Sequence, residues 1–557
     1  EKKPRYVNEL KCVGCDLCTT VCPVEVPDEY NAKLKTRKAI YINIPNVHPP
    51  VYVIDESVCK FHDCAKCVEV CPTDAIELDQ KSERATLNVG SIIVATGFQE
   101  FDSSIIKEYH YGDYTDVVTN LELARMIDCF GPTSGVIIRP SDRKPAKKIV
   151  MLQCVGSRDR RYNPYCSSIC CMISLKHATL IKSAYPDTDI TICYIDIRTT
   201  GREHEDYYER AREMGIKFVK GRPTEISRDP ETNRLIVDVE DALLRRFLEL
   251  DADMVVLAPA MVPAEDTKKL AEILGIELDE DGFFKEYNAK LRPTETKLRG
   301  IYLCGGATFP KDAPTTSLHA HSAAIKAAKF LTTGKIVKDQ RTAVVNEEYC
   351  GDCEFCPVTC PYGAISLEPT TEEHFVARIS DLLCEGCGVC VGTCPLNAIE
   401  LRHSRPNQML AQMKALMSVN GTSKPLVLAI CCSECGHTAV DSSGMAMMQY
   451  PANVRVMKVP CTGILQVHQF LEAFKAGAQG VMVVGCKSDG CHYEVGSQKA
   501  EKKVELAGML LKEYGIESER LEMFNMVFIE GNKFAQAAQM MTERLEKLGS
   551  LQLMGGS

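Results

Sequence analysis

Residues 147–182 read KKIVMLQCVGSRDRRYNPYCSSICCMISLKHATLIK. An apolar run of strand type, KKIVMLQ, leads into a turn, and a helix-like run, CCMISLKHATLIK, follows the turn. Nucleotide-binding folds place a glycine-rich turn at such a strand-to-helix junction, where it meets a pyrophosphate. Here the junction holds four cysteines, Cys154, Cys166, Cys170 and Cys171. The stretch therefore predicts an α/β domain whose turn holds something instead of, or beside, a nucleotide.

The composition limits the classes of protein that remain. The chain has 557 residues, 45% of them apolar, and a formal net charge of -10. This length is enough for roughly three to five domains, and the negative charge argues against a nucleic-acid partner. No run approaches the ~18 apolar residues of a membrane span, and the sequence starts without a signal-peptide pattern.

The 29 cysteines dominate the composition. A secreted disulfide framework is the simplest explanation, but such frameworks belong to small domains, whereas this chain is large and rich in core residues. Many of the cysteines also occur at metal-ligand spacings. We therefore expect a cytoplasmic protein of a reducing, anaerobic setting, whose thiolates are held by metal.

Four motifs have the cysteine spacing of bacterial ferredoxins, C-x2-C-x2-C-x3-C-P. They begin at Cys12, Cys59, Cys350 and Cys384, and the second departs from the pattern by two extra residues within the stretch KFHD, 60–63. Zinc is the alternative metal, but zinc ribbons lack this spacing of three cysteines followed by Cys-Pro. The motifs predict two ferredoxin-like domains with two 4Fe–4S clusters each, residues 4–82 and 341–403.

In each pair of motifs the fourth cysteine points away and is expected to bind the cluster of the other motif. The four predicted ligand sets are Cys12, Cys15, Cys18 and Cys71; Cys22, Cys59, Cys64 and Cys67; Cys350, Cys353, Cys356 and Cys394; and Cys360, Cys384, Cys387 and Cys390. Paired clusters pass electrons one at a time, so they favour a redox relay over a hydrolase or a structural protein.

Between the two ferredoxin domains, strands alternate with helices. Three segments have the pattern of strands: LNVGSIIVATGF (87–98), LDADMVVLAPAMVP (250–263) and LRGIYLCGGAT (298–308). A fourth has the pattern of a helix, SLHAHSAAIKAAKFL (317–331). This order resembles the two-dinucleotide-domain flavoproteins of the thioredoxin-reductase type. The resemblance implies an FAD-binding domain formed by residues 84–146 and 291–340. Its implied FAD contacts are Ala95, Thr96, Gly97, Gly305, Gly306, Ala307 and Thr316.

The sequence departs from those flavoproteins in two respects. The family's Gly-Asp is replaced by Gly305-Gly306, and the first Rossmann half with its G-x-G-x-x-G turn is absent. An FAD site without the pyrophosphate turn is half a site. We therefore expect a partner chain or a further segment to supply the missing half. The alternative is a degenerate flavin fold that binds nothing.

Residues 147–290 occupy the place of the nicotinamide-binding domain, with DITICYIDIR (189–198) as second strand. The turn after the first strand has one glycine and an arginine-rich insert, which makes a poor NAD site. Its four cysteines could wrap an iron–sulfur cluster instead. Spacing alone leaves a set of buried or redox-active thiols equally open.

Residues 425–557 predict a separate parallel α/β domain. The strands PLVLAIC, VRVMKVPC and GVMVVGC end at Cys431/Cys432, Cys461 and Cys486. Ligands gather beyond the carboxyl ends of such strands, so these cysteines should converge with Cys435 and Cys491. A 2Fe–2S cluster needs four of them. Our first choice is Cys432, Cys435, Cys461 and Cys486, with Cys491 in reserve and Cys431 packed inward. Reactive thiols without metal are the alternative.

Two parts of the chain lie outside these motifs. Residues 404–424 contain Met and Leu at helical spacing, which predicts a linker helix that packs at an interface. Cys129, Cys193 and Cys304 have no motif partners and are expected in the core.

Residues 4–405 contain the ferredoxin runs and the motifs CVGSRD, RYNPYCS, YIDIR and LRPTET. In these features the chain resembles the A-type subunit of heterodisulfide reductase. The resemblance implies an additional 4Fe–4S cluster on Cys154, Cys166, Cys170 and Cys171, and an FAD-binding half upstream. It also implies that FAD splits or merges electron pairs, with no catalytic side chain assigned.

GCKSDGCHYEVG (485–496) and PCTG (460–463) resemble the delta subunit of methyl-viologen-reducing hydrogenase. That resemblance implies a 2Fe–2S cluster that links a hydrogenase or formate dehydrogenase to the preceding A-type part. The implied partners are B- and C-type subunits of heterodisulfide reductase and ferredoxin, in a dimer of a hetero-complex. A subunit of a quinone-interacting or benzoyl-CoA-reductase-type complex, or a flavin-free electron wire, are the alternatives. The expected fold class is multidomain α/β and α+β.

Overall fold

A computed structural model of the chain describes residues 2–42, 44, 47–333, 340–371, 374–418 and 424–551. Parts of five predicted segments lie outside these residues: 43 and 45–46 of the first ferredoxin-like domain, 334–339 of the flavin domain, 372–373 of the second ferredoxin-like domain, 419–423 of the linker and 552–557 of the last domain. The chain divides into two compact units, residues 1–296 with 300–333, and residues 297–299 with 334–557. None of the described helices is both long and apolar enough to cross a membrane.

The elements of the first unit follow the chain. Its strands are β1 (Glu25–Pro27), β2 (Thr36–Lys38), β3 (Ile40–Tyr41), β4 (Val53–Ile54), β5 (Ile92–Val94), β6 (Phe98–Glu100), β7 (Val117–Thr119), β8 (Lys148–Val155), β9 (Asp189–Tyr194), β10 (Lys217–Lys220), β11 (Pro223–Arg228), β12 (Leu235–Asp241), β13 (Arg246–Ala252), β14 (Met254–Pro259), β15 (Met261–Pro263) and β16 (Ile301–Leu303). Its helices are α1 (Leu17–Val21), α2 (Lys66–Glu69), α3 (Asn120–Ile127), α4 (Cys170–Ala184), α5 (His204–Glu213), α6 (Thr267–Leu274) and α7 (Ala313–Thr333).

A five-stranded parallel sheet, in the order β10-β9-β8-β14-β7, is the centre of the first unit. One face of β8 packs Ile149 and Met151 against α3 and α4. Its other face packs Val150 and Leu152 toward the antiparallel sheet β11-β12-β13. The predicted strand KKIVMLQ is buried on both faces, because a parallel sheet is covered on both sides.

The sheet starts earlier in the chain than the predicted boundary at residue 147. Strand β7 pairs in parallel with β14, and α3 follows it at once. Thr119 caps α3 in a capping box with Glu122. The sequence pattern places this segment in the flavin domain, and that prediction was wrong. A three-residue strand carries no periodic signal of its own, so only its pairing with β14 shows where it belongs.

The flavin-like part of the first unit is small. Strands β5 and β16 form a two-stranded parallel sheet, against which α7 packs through Ala323 and Ala327. Ile92 and Ile93 of β5 are 38% and 43% exposed. Because successive side chains of a strand point to opposite faces, the described residues leave both faces of β5 partly uncovered.

The second unit contains the elements β17 (Ala343–Val345), β18 (Ile365–Thr371), β19 (His374–Ile379), β20 (Ile399–Leu401), β21 (Val427–Cys432), β22 (Val454–Val459), β23 (Gly480–Gly485) and β24 (Leu521–Asn525). Its helices are α8 (Phe355–Thr359), α9 (Val389–Thr393), α10 (Pro406–Met417), α11 (Gly436–Met445), α12 (Val467–Lys475), α13 (Gly496–Glu513) and α14 (Gly531–Leu548).

Strands β22-β21-β23-β24 form a parallel sheet, as predicted for the last domain. The predicted linker helix is α10, and it packs against this sheet and α12 through Met409, Met413 and Met417. The second ferredoxin-like segment and the last domain therefore belong to one compact unit.

Of the three cysteines expected in the core, only Cys193 is fully buried. Cys304 is half-buried and Cys129 is exposed. The prediction was wrong for Cys129 because it lies just after α3, in a loop of polar residues and glycine. Cys431 is fully buried in the core of the last domain, as predicted.

Candidate cluster and flavin sites

The first ferredoxin-like segment brings its cysteines together in two pockets. One is lined by Cys12, Cys15, Cys18 and Cys71, and the other by Cys22, Cys59, Cys64 and Cys67. These are the two predicted sets, each completed by a cysteine from the other motif. Burial raises the pKa of Cys18 to about 12 and that of Cys67 to about 11. Such thiols become thiolates only when a metal takes up the charge, which suits a cluster.

Local backbone geometry orients these sulfurs. The helices α1 and α2 begin after Asp16 and Ala65, whose φ angles of 67° and 44° are left-handed. Each turn thereby reverses the chain between the second and third cysteine of its motif. The backbone N–H of Ala75 donates to Cys71 Sγ at 3.3 Å. Hydrogen bonds of this kind stabilise thiolate sulfur around a metal centre.

The second ferredoxin-like segment repeats this arrangement. Cys360, Cys384, Cys387 and Cys390 line one pocket. Cys356 lies beside Cys350, Cys353 and Cys394, and burial raises its pKa to about 11. Burial likewise raises the pKa of Cys387 to about 12. Across the described residues, no group of three or more His, Cys, Asp or Glu side chains is arranged to hold a single metal ion.

The four cysteines of the opening stretch also meet. Cys170 and Cys171 each lie beside Cys154 and Cys166 at the first turn of α4. Burial raises the pKa of Cys171 to about 11. Cys154 has a left-handed φ of 60°, a conformation that costs a non-glycine residue on the order of 1–3 kcal/mol. The fold thus turns Cys154 out of the strand direction at the place where a nucleotide turn would have glycine.

Together with Arg222, Arg158 provides positive charge near Cys154. Its guanidinium forms an ion pair with Asp196. Burial raises the pKa of Cys154, and the nearby Arg158 opposes that rise. An arginine held beside a group of four thiols, three of them buried, favours their anionic forms. The pocket is therefore suited to an anionic ligand such as a thiolate-bound cluster.

The predicted flavin contacts gather at the carboxyl ends of β5 and β16. Gly97 and Gly305 have left-handed φ angles of 72° and 62°. A Cβ on Gly305 would lie 2.9 Å from Thr316 Cγ2, and one on Gly306 3.1 Å from the Phe98 ring. Close approaches of this kind explain the glycines. Ala95, Thr96 and Ala307 belong to the same two loops.

Sequence reasoning missed Lys311 at this site. Its ammonium donates to Thr308 Oγ1 at 2.6 Å and to the Phe309 carbonyl oxygen at 3.2 Å. Burial lowers the pKa of Lys311 and raises that of the neighbouring Glu286. The available signal was a lysine between the Gly305-Gly306 pair and the start of α7.

In the last domain, five cysteines converge at the carboxyl edge of the parallel sheet. Cys486 is central: its thiol hydrogen-bonds with Cys432, Cys435 and Cys491, and this raises its pKa. Its Sγ lies 3.8 Å from that of Cys432. Cys461 in turn hydrogen-bonds with Cys491. The predicted convergence is confirmed, and Cys491 lies as fully within the group as the four first choices.

Three of these cysteines are buried, although they follow strand ends at an edge of the sheet. Cys432, Cys461 and Cys486 are 2%, 3% and 4% exposed. For Cys461 the reason is the second ferredoxin-like segment, whose α9 packs on the turn after this cysteine. A Cβ on Gly463 of this turn would lie 2.9 Å from Val389 Cγ2 of α9.

Comparison with protein families agrees with these sites. Residues 11–76 and 349–398 each match a 4Fe–4S dicluster domain family. Residues 427–549 match the family "Methyl-viologen-reducing hydrogenase, delta subunit".

Longer relatives show how these parts combine. The A-type subunit of a ferredoxin/F420H2-dependent CoB-CoM heterodisulfide reductase of Methanosarcina acetivorans is 37% identical over 553 residues, covering 99% of this chain and 69% of the relative. The chain belongs to the family of heterodisulfide reductase A-type subunits. A second member, the A-type iron-sulfur subunit of the CoB–CoM heterodisulfide reductase of Methanocaldococcus jannaschii, is 48% identical over 69% of this chain and 58% of its own length. The chain thus spans about three fifths to two thirds of these family members.

Solved structures resemble part of the chain. A thioredoxin reductase of Lactococcus lactis covers 53% of this chain and 86% of its own, with 17% identity and a TM-score of 0.30. A score at this level reflects partial agreement of the backbone. The first unit is instead recognised as a dinucleotide-domain type of fold from the strand order of its own parallel sheet.

Gly496 provides a test of the five-cysteine group. A Cβ at this first residue of α13 would overlap Cys461 Sγ, whereas one on Gly508 of the same helix has open space. We expect Gly496→Ala to displace Cys461 and to lower the iron content of anaerobically purified protein. Gly508→Ala is the control and should raise helix stability by about 0.5–1 kcal/mol. Equal iron content and equal melting behaviour in both variants would contradict the described packing.

The group at Cys154 provides a second test. We expect Cys166→Ala combined with Cys170→Ala to remove about four irons per chain, since a 4Fe–4S cluster holds that number. The electron paramagnetic resonance (EPR) signals of the ferredoxin clusters should stay. Cys129→Ser, which removes an exposed thiol outside every group, should leave the iron content unchanged. Unchanged iron in the double variant, with tight NADH binding to the unaltered protein, would refute the cluster.

Proposed function

We propose that this chain is the cytoplasmic, electron-transferring flavin and iron–sulfur subunit of a heterodisulfide-reductase-type complex. In this role, electron pairs are split or merged at FAD. They move between a hydrogenase or formate dehydrogenase donor, ferredoxin and a disulfide-type acceptor on B- and C-type subunits. Two relatives carry matching descriptions: the Methanococcus maripaludis protein belongs to an H2/formate:CoB-CoM heterodisulfide,ferredoxin reductase, and the M. acetivorans one is ferredoxin- or F420H2-dependent.

The cysteine groups supply the proposed cofactor sites. Four 4Fe–4S clusters occupy the ferredoxin-like pockets and a fifth the group at Cys154. A 2Fe–2S cluster is held by four of the five converging cysteines of the last domain, with Cys486 among them because it contacts three of the others. A fully loaded chain would hold about 22 irons, four for each 4Fe–4S cluster and two for the 2Fe–2S cluster.

One observation carries the proposal most directly: two cysteine groups of the second unit adjoin each other. Val389 lies two residues after Cys387, and it packs on Gly463, two residues after Cys461. The hydrogen bond with Cys491 and burial raise the pKa of Cys461, and the nearby Cys387 raises it further. The two sulfurs therefore lie within electrostatic reach of each other. A cluster in the last domain would have a neighbour in the ferredoxin-like segment to which it can pass electrons.

The flavin is the least complete part of the site. FAD, when bound, exchanges electrons in pairs or singly. The chain's own residues supply Gly97, Gly305, Gly306 and the first turn of α7, whose positive end favours an anionic ring. Lys311 adds a second positive charge close to this wall. The pyrophosphate-binding half would come from a partner chain or a further segment.

The function is tested by removing the 2Fe–2S cluster alone. We expect Cys486→Ser to abolish reduction of the complex by its hydrogenase or formate dehydrogenase partner. Reduction by an artificial low-potential donor should continue, because the ferredoxin-like pockets are untouched. Anaerobic stopped-flow absorbance with each donor measures both rates.

Cys431→Ala is the matched control, because Cys431 is buried in the same strand as Cys432 but lies outside the converging group. It should keep both rates. If Cys486→Ser still accepts electrons from the physiological donor at the normal rate, the last domain is not the electron inlet. A docking or regulatory role would then fit it better.

The half-site geometry makes a prediction about flavin. We expect the 557-residue chain expressed by itself to hold FAD weakly or not at all, because no described loop offers a glycine-rich pyrophosphate turn before β5. Isothermal titration with FAD and the flavin spectrum after gentle purification measure this. Stoichiometric FAD in the isolated chain would show that the missing half is not needed.

A further inference from the structure

Helix α9 and the turn at residues 462–464 make a contact so close that only glycine fits at several positions. A Cβ on Gly392 would overlap the Gly463 carbonyl oxygen, and one on Gly388 would lie 2.7 Å from Ile464 Cδ1. Gln466 ties the two sides together, because its side-chain amide donates to the Val391 carbonyl oxygen at 3.1 Å. We call this contact the α9 interface. It joins a predicted 4Fe–4S pocket to the five-cysteine group.

A lysine reaches into the α9 interface from outside both cysteine groups. Lys503 extends from α13, and its ammonium donates to the Gly463 carbonyl oxygen at 2.8 Å. A Cβ on Gly392 would overlap its Nζ, so a glycine there leaves room for the ammonium. The Gly463 carbonyl oxygen thus holds the ammonium in position, and the absence of a side chain at Gly392 leaves space for it.

The charge of Lys503 has an unusual environment. Burial lowers its pKa to about 8, and of the neighbouring charges Cys461 raises that pKa while Lys499 lowers it. The ammonium is therefore mostly protonated at pH 7. A partly buried charge is costly unless an opposite charge offsets it. The neighbouring group whose negative charge would favour the ammonium is Cys461, in its thiolate form.

A thiolate-bound 2Fe–2S cluster would provide that opposite charge. Four thiolates outweigh the net positive charge of a 2Fe–2S core, so the whole centre is anionic. Each electron taken up adds one further negative charge. A fixed cation nearby stabilises the more negative, reduced state more than the oxidised state. The reduction potential of the centre therefore rises.

We propose that Lys503 is the built-in counter-ion of the cluster in the last domain and a positioning residue that sets the cluster's reduction potential. This inference rests on the proposed 2Fe–2S centre and goes beyond it, because it assigns a role to a residue that binds no iron. Lys503 raises the potential at the electron inlet, which favours uptake of an electron from the donor. Its contact with Gly463 holds the positive charge at the α9 interface, next to the predicted 4Fe–4S pocket that would accept the electron.

The test is a redox titration monitored by EPR on the complete, anaerobically purified protein. We expect Lys503→Met to lower the midpoint potential of the 2Fe–2S centre. The ratio of reduced to oxidised centre at a fixed potential should fall at least tenfold, which corresponds to about 59 mV for one electron. The 4Fe–4S signals of the first unit serve as internal references and should not move. Iron content should stay at the wild-type level.

Two variants control for charge and for location. Lys502→Met removes a neighbouring but exposed lysine of α13 and should leave the potential unchanged. Lys503→Arg keeps the charge and should stay close to the wild-type potential. A 2Fe–2S centre in Lys503→Met with the same potential as in Lys502→Met overturns the proposal.

The remaining outcomes are also decisive. If Lys503→Met fails to keep the centre, Lys503→Arg decides: a retained centre at the wild-type potential supports the counter-ion, and loss of the centre there too overturns it. Wild-type protein that lacks a 2Fe–2S signal refutes the proposed function together with this inference. If only the Lys503 inference fails, the wild-type protein shows a 2Fe–2S signal, and the midpoint potential of this centre does not change when the charge at residue 503 is removed.

Discussion

A buried thiol can become a thiolate only if a positive charge compensates it, and this constraint governs the whole chain. Burial raises the pKa of cysteines such as Cys18, Cys67 and Cys387 well above that of a free thiol. Each of them lies in a group of four or five, contributed by loops that are distant in sequence. Without metal these groups bring together poorly ionised thiols. With iron bound, the metal would take up the charge of the thiolates, so the fold and the cofactors depend on each other.

The two units meet this constraint in different ways. In the ferredoxin-like segments, left-handed residues turn short loops, and the last cysteine of one motif completes the pocket of the other. In the parallel sheets, cysteines follow strand ends, where the geometry of the fold already gathers loops. The group at Cys154 and the group around Cys486 are both of this second kind. In both groups, cysteine sulfurs line a place where related folds bind a nucleotide or another ligand. Arg158 lies beside the group at Cys154, and Lys503 lies beside the group around Cys486.

The last domain shows how a module becomes part of a larger relay. The M. acetivorans relative covers 99% of this chain, whereas the match to the M. jannaschii protein covers 69%. In this chain, the α9 interface brings backbone against backbone with glycine at the contacts. That closeness buries Cys461, which an isolated domain would leave nearer to solvent.

The sequence by itself determined which cysteines of the ferredoxin-like motifs belong together. The C-x2-C-x2-C-x3-C-P spacing assigned the ferredoxin-like sets, because a tight loop and a short helical step leave few alternatives, and strand-final cysteines predicted the group around Cys486. Other features depended on contacts between distant residues. No local signal marks the pairing of β7 with β14, the burial of Cys461 under α9 or the position of Lys503. Each follows from packing between segments far apart in the chain, and local spacing carries no record of such packing.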